Sequence, residues 1–333
     1  MTGRARASPW QLFAATVLLL LLWQVRQPLM VFFGAVLVAA ALHALAEPLA
    51  RRARLSERAA TAWVLAGLVA LAALGLWLLG DPLSQQLQAL RTELPRAWSA
   101  LQRWLQQLPL GNRLLELVGE VRDGELPLAG IAGAATRVLH GLGAAVLTLL
   151  MGVYLAFDVR LYRDGLVRLA PPARREAVGE ALDATGRALT RWLRGQGITM
   201  LVVGAAVSIG LTLLGMPMAL ALGLIAGLLE FVPYIGPIAS GLLAVLVAFV
   251  QGPQQALYVA LLFVALQQVE NHLLVPLVQR WAVALPPVLA LGGVLLFGAL
   301  LGPAGLILGT PLIVVTMVLV QKLYVERMLE GRS

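Results

Sequence analysis

The sequence predicts an all-α, polytopic transmembrane protein of about eight crossings, with Pro/Gly-broken or re-entrant segments in its C-terminal half. Three observations predict it. Several windows of roughly 16 to 20 residues carry no charge, the length an α-helix needs to cross about 30 Å of hydrocarbon. The 333 residues have a mean hydropathy of +0.85 and are only 13% charged, outside the range of an ordinary soluble domain. The arginines sit mainly between the apolar runs, so the formal charge of +8 reads as a topology signal and not as a nucleic-acid surface.

Residues 1–80 hold the first three crossings, at Trp10 to Val25, Pro28 to Ala46 and Ala59 to Gly80. Arg4 and Arg6 before the run Leu12 to Trp23 resemble the start of a signal peptide. No small-x-small cleavage site follows, and the run is read as a retained first helix. Residues 81–137 form the extracytoplasmic segment, where six arginines balance six acids. Within it Leu87, Leu90, Leu94, Trp98, Leu101, Leu105 and Leu108 recur every three to four residues, as in an amphipathic helix, broken here near Pro95. Its leucines and tryptophans favour a cap on its own chain or a contact with a second copy over a place on the membrane surface.

Residues 138–157 form the fourth crossing and 158–194 a cytoplasmic segment, with eight arginines against five acids. The loop Glu47 to Arg58 has four arginines against two glutamates, and both basic segments belong inside. Residues 195–322 form a C-terminal transport core of four crossings, and 323–333 a cytoplasmic tail. Both termini then lie on the cytoplasmic side of a bacterial inner membrane. Ten crossings are the alternative, if Ala219 to Val232 and Ile238 to Val250 each cross instead of forming a hairpin around Pro233 and Pro237.

From Gly195 to Gln321 the only formally charged residues are Glu230, Glu270 and Arg280, and His272 is the only histidine. An ionisable group at bilayer depth normally faces a bundle interior or an aqueous path. The bland alternative places each at a helix end near the headgroups, most readily Arg280. Glu230 precedes Val232-Pro233-Tyr234-Ile235-Gly236-Pro237, where the missing amide of proline and the freedom of glycine break the helix. Broken backbone at membrane depth lies in protein or lines a wet cavity. A second polar cluster, Gln267 to Pro276, puts Gln267, Glu270 and Asn271 on one helical face and Gln268 and His272 on the next. A faint repeat relates Pro217 to Gly223 with Pro286 to Gly292, each running on to a Gly-Pro, the inverted arrangement of many secondary transporters.

These motifs resemble the autoinducer-2 exporter family of bacterial membrane proteins, the PerM-like permeases. The resemblance rests on Arg194-Gly195-Gln196, on Glu230 through Pro237, on Gln267 through Pro276, and on Leu285-Pro286-Pro287 followed by Gly292-Gly293, Gly302-Pro303-Ala304-Gly305 and Thr310-Pro311. It implies a multi-pass inner-membrane permease in a homo-oligomer, a pentamer being the suggested size. It also implies export of an autoinducer-2-like solute, or exchange of sodium or lithium for protons. Pro303 stands where isoleucine is common in the family. Glu230, Glu270, Asn271, Gln267 and His272 are the transport or ion-linked candidates. Pro233, Tyr234, Gly236, Pro237, Gly302, Pro303, Gly305 and Pro311 are the helix-break or gate candidates. The partners expected are the lipid bilayer and a small-molecule or monovalent-cation substrate, with no nucleic acid.

Other chemistries lack their residues. The sequence has no cysteine, no Gly-x-x-x-x-Gly-Lys phosphate loop and no His-Glu-x-x-His. Ser240 and His272 could in principle pair as nucleophile and base, but Ile238-Ala239-Ser240-Gly241 lacks the leading glycine of the rhomboid pattern. No enzymatic activity, cofactor or metal is expected. The remaining alternative is an envelope protein that acts through the helix Gln85 to Leu108 without transport.

Overall fold

The computed structural model describes residues 24–107, 143–279 and 286–329. The first apolar run up to residue 23, Leu108, Arg280 and Leu285 lie outside the described residues. Among the described residues every regular element is a helix. Helix α1 (Arg26–Ala53) ends at Arg54, whose left-handed φ of 52° lets its N–H reach the Ala50 carbonyl. Ser56 then opens α2 (Glu57–Gln106), its Oγ accepting the Ala59 N–H at 3.3 Å. The two helices form an antiparallel pair, with Val38, Ala39 and Leu42 in one apolar cluster with Val64 and Leu65.

Helix α2 has 50 residues and is therefore about 75 Å long, far more than a bilayer needs. Its first half leaves Trp63, Leu71, Leu76 and Trp77 exposed, as a face turned to hydrocarbon would be. Its second half covers its own chain, with Leu83, Ala89, Leu90 and Leu94 in one apolar cluster with residues 219–249. The expected break near Pro95 is absent. Pro82 and Pro95 both lie inside the continuous helix. A proline removes one ladder hydrogen bond, a cost of about 3 kcal/mol, and the buried residues on either side, Leu90 and Ala97, keep the helix in place.

Helices α3 (Gly143–Phe157) and α4 (Val159–Leu169) meet at an 87° bend. A short 3₁₀ turn (Pro172–Arg174) leads into α5 (Arg175–Leu213), so most of the basic segment 158–194 is helical and runs unbroken into the next apolar stretch. Next come α6 (Ala219–Leu229) and α7 (Ile235–Ala248), then α8 (Pro253–Val269), which passes through a π-helical turn (Glu270–Leu274) into α9 (Val275–Gln279). Last are α10 (Pro287–Leu301) and α11 (Pro303–Val320), the latter continued by a π-helical stretch (Gln321–Leu329). Among the described residues five helices are long and apolar enough to cross a membrane, and six if α3 and α4 count as one bent span. The chain is an all-α polytopic membrane protein.

Helices α6 and α7 have 11 and 14 residues, so they reach only about 17 and 21 Å and neither crosses about 30 Å alone. Their open end faces the far half of α2. Gln86 Oε1 accepts the Ala221 N–H at 3.0 Å, and Phe249 packs on Trp104 with ring centroids 5.4 Å apart. Helix α6 returns along α5 through glycines: a Cβ on Gly204 would lie 3.2 Å from Gly227 Cα. The two helices therefore form a hairpin whose legs are each shorter than a full crossing.

Helices α10 and α11 form a second hairpin, equally close, since a Cβ on Gly309 would lie 2.9 Å from Val294 Cα. Beside its turn, the Leu300 carbonyl accepts from Arg26 at 3.5 Å, at the start of α1. Because α1 and α2 are antiparallel, that is the end at which the first hairpin opens. The two hairpins point in opposite senses, which gives the faint sequence repeat a structural counterpart.

Candidate functional site

The turn of the first hairpin explains itself residue by residue. The Glu230 N–H closes the last α-helical bond of α6, to Ala226 at 2.9 Å. Phe231 and Val232 tighten to three-residue bonds with Leu228 and Leu229, at 3.2 and 3.0 Å. Pro233 has no N–H to continue the ladder. The Ile235 N–H then donates to the Pro233 carbonyl at 2.8 Å across Tyr234, which has φ 67° and ψ −45°. This is a γ-turn in the left-handed region, and holding a residue with a side chain there costs about 1–3 kcal/mol. Gly236 follows, where a Cβ would overlap the Leu229 carbonyl group. Buried Ser240 donates its hydroxyl to the Gly236 carbonyl at 2.8 Å, a bond shared with Pro237 at 3.2 Å. Its proton is committed to the hairpin backbone, and His272 sits exposed on another helix.

Glu230 occupies the tip. Its residue is 2% exposed, and its Oε2 has no hydrogen-bond donor among the described residues. Its neighbour is the carboxyl group of Glu270, within hydrogen-bonding reach. Glu270 is half-buried and accepts from Gln267 Nε2 at 3.2 Å. It opens the π-helical turn of α8, which replaces the plain α-helix the sequence suggested. Such single-turn widenings concentrate at functional sites. The two polar faces read from the sequence are therefore unequal: Gln267 and Glu270 turn to the hairpin, whereas Asn271 and His272 are exposed. His272 Nδ1 lies 2.9 Å from the Gln268 carbonyl of its own helix.

The remaining gate candidates belong to the second hairpin. Gly302 forms its turn with φ 68°, and Pro303 is the first residue of α11. Gly305 and Pro311 are not breaks. Both are buried inside the continuous α11, Gly305 because a Cβ there would overlap the Phe297 carbonyl group. Helix α11 also approaches the site, since Leu308, Val314 and Phe231 share one cluster with Trp192.

Two residues without an assigned role in the sequence reading hold the tip. Gln196 of α5 donates to the Glu230 carbonyl at 2.6 Å, filling an acceptor that the helix end leaves open. One half-turn away, Arg194 donates to the Ala44 carbonyl at 2.8 Å and to Glu47 at 2.7 Å, tying α5 to α1. The signal for Gln196 is its place as a lone amide at the start of a charge-free run. Gln196→Leu leaves the Glu230 carbonyl without this donor and is expected to cost about 1–3 kcal/mol, read as a lower unfolding temperature in detergent.

A hairpin tip carrying a buried carboxyl beside a second carboxyl on a long apolar helix is the most distinctive polar feature described in this all-α polytopic membrane protein. Residues 12–324 match the family described as AI-2E family transporter, and the chain belongs to that family. It is 30% identical over 232 residues to a provisionally named transport protein of Mycobacterium tuberculosis, covering 66% of this chain and 62% of that one. It is 29% identical over 196 residues to the provisionally named transport protein YrrI of Bacillus subtilis, covering 57% and 55%. It is likewise 29% identical over 178 residues to the provisionally named transport protein YhhT of Escherichia coli, covering 52% and 50%. The chain thus spans less than two thirds of the length of these curated relatives.

Proposed function

We propose that the chain is a secondary transporter whose coupling site is the Glu230–Glu270 pair at the tip of the first hairpin. The observation that carries the reading is the Glu230 carboxyl, buried, with an oxygen that no donor among the described residues reaches, beside a second carboxyl. Two carboxylates in contact repel each other, and one positive charge between them relieves this. A proton or a monovalent cation would serve, and each would exclude the other. Alternating occupancy of one acidic pair is the simplest chemical basis for exchange. Gln267 fixes the orientation of Glu270, and Gln196 fixes the backbone at Glu230. The strained turn at Tyr234 gives the tip a second backbone state within reach of a few kcal/mol.

In this reading the hairpin tip reaches membrane depth from the extracytoplasmic side, and both chain termini face the cytoplasm of a bacterial inner membrane. The cargo is sodium or lithium exchanged for protons, or an autoinducer-2-like solute driven by the same pair. The test uses purified protein in liposomes containing a pH-sensitive dye under an imposed proton gradient. Sodium, lithium or autoinducer-2 should relax the gradient in the wild type. No relaxation with any of them, from protein shown to be folded, would sink the reading.

A further inference from the structure

We propose that α4 is a membrane-surface helix that docks the headgroups of anionic phospholipids. Its placement comes from the 87° bend after α3. At that elbow Asp158 pairs with Arg58 and Arg160 pairs with Glu57 at 2.7 Å. Arg58 immediately precedes the apolar run Ala59 to Gly80 of α2, so the elbow is level with the point where α2 enters hydrocarbon. A helix turned through nearly a right angle at that level runs along the membrane boundary.

The faces of α4 agree with this placement. Arg163 holds Asp183 of α5 with two nitrogens, at 2.8 and 2.7 Å, and Val167 packs near Gly179, so that side belongs to the protein. Val159, Tyr162, Leu166 and Leu169 follow three- and four-residue spacing on another face, and they are 43%, 45%, 51% and 83% exposed. An apolar stripe flanked by arginines at the polar boundary is the pattern of an interfacial helix.

The charge specifies the lipid. Arg52, Arg54, Arg168 and Arg174 are exposed and have no carboxylate partner among the described residues, in contrast to Arg51, Arg58 and Arg160. Arg168 lies within the span of the stripe and Arg174 follows it along the chain, and Arg52 and Arg54 lie just before Arg58 of the elbow. Unneutralised guanidinium groups at this boundary favour a phosphate that carries acyl chains.

The absence of cysteine makes the test direct. Leu166→Cys and Arg168→Cys in the full chain are labelled with a bimane fluorophore and placed in liposomes of phosphatidylcholine and phosphatidylglycerol. The label at 166 should be several-fold less quenched by iodide than that at 168, and several-fold more quenched by spin-labelled lipid. Equal iodide access at both positions, or protection of 166 from both quenchers as in a protein contact, would overturn the proposal. The variant with Arg52, Arg54, Arg168 and Arg174 all changed to Gln should lose several-fold in its preference for spin-labelled phosphatidylglycerol over phosphatidylcholine. An unchanged preference would overturn the role given to the headgroup.

Discussion

Glu230→Gln and Glu270→Gln are each expected to lower coupled transport in proteoliposomes by about a hundredfold, and the double variant by no more than either alone. The reason is geometric. The two carboxyl groups are neighbours, and in the proposed mechanism they act as one site for one positive charge. Losing either member removes that site, and losing the second removes nothing further. Independent contributions would multiply instead, and a double variant far weaker than both singles would show that the pair is not a unit. Glutamine keeps the size of the side chain, so the folded protein should persist in all three variants, as size-exclusion profiles in detergent would check.

Gly236→Val is expected to disrupt the hairpin itself. A Cβ at this position would overlap the Leu229 carbonyl group and lie 2.9 Å from the Glu230 nitrogen. Backbone atoms in a helix end cannot rotate aside as a flexible side chain does, so the turn must open. The cost is expected to exceed the about 1–3 kcal/mol typical of overpacking, with a matching fall in unfolding temperature. Transport should be lost with it, because Glu230 is attached to the same turn. Gly67 is the contrast, since a Cβ there meets nothing within 4 Å, and Gly67→Ala should leave both readouts near wild type. A stable, active Gly236→Val protein would mean that the tip geometry has no part in function.

Much of this architecture is legible in the sequence because the membrane imposes strong local rules. Charge-free runs announce the helices, and Pro233 with Gly236 announces the hairpin turn. Glu230 and Glu270 stand out because ionisable groups are so rare between Gly195 and Gln321. What the sequence does not show is which of these groups meet. Gln267, Glu270, Asn271 and His272 look equivalent as a polar cluster, and only the packing of α8 against the hairpin separates the first two from the exposed pair. Pro95 and Pro311 look like breaks because proline lacks an amide. Packing partners far along the chain let both helices continue through them, and such partners leave no local trace. Gln196 is the same case in reverse, an ordinary amide whose importance lies in a carbonyl 34 residues away.

The most direct test of the acidic pair needs no transport assay. Sodium or lithium is added to weakly buffered, purified protein in detergent, and the protons released are counted with a pH electrode. About one proton released per chain is expected from the wild type and none from Glu230→Gln. Equal release from both proteins, or no release from a folded wild type at any pH between about 5 and 9, would contradict a site in which cation and proton compete for Glu230 and Glu270.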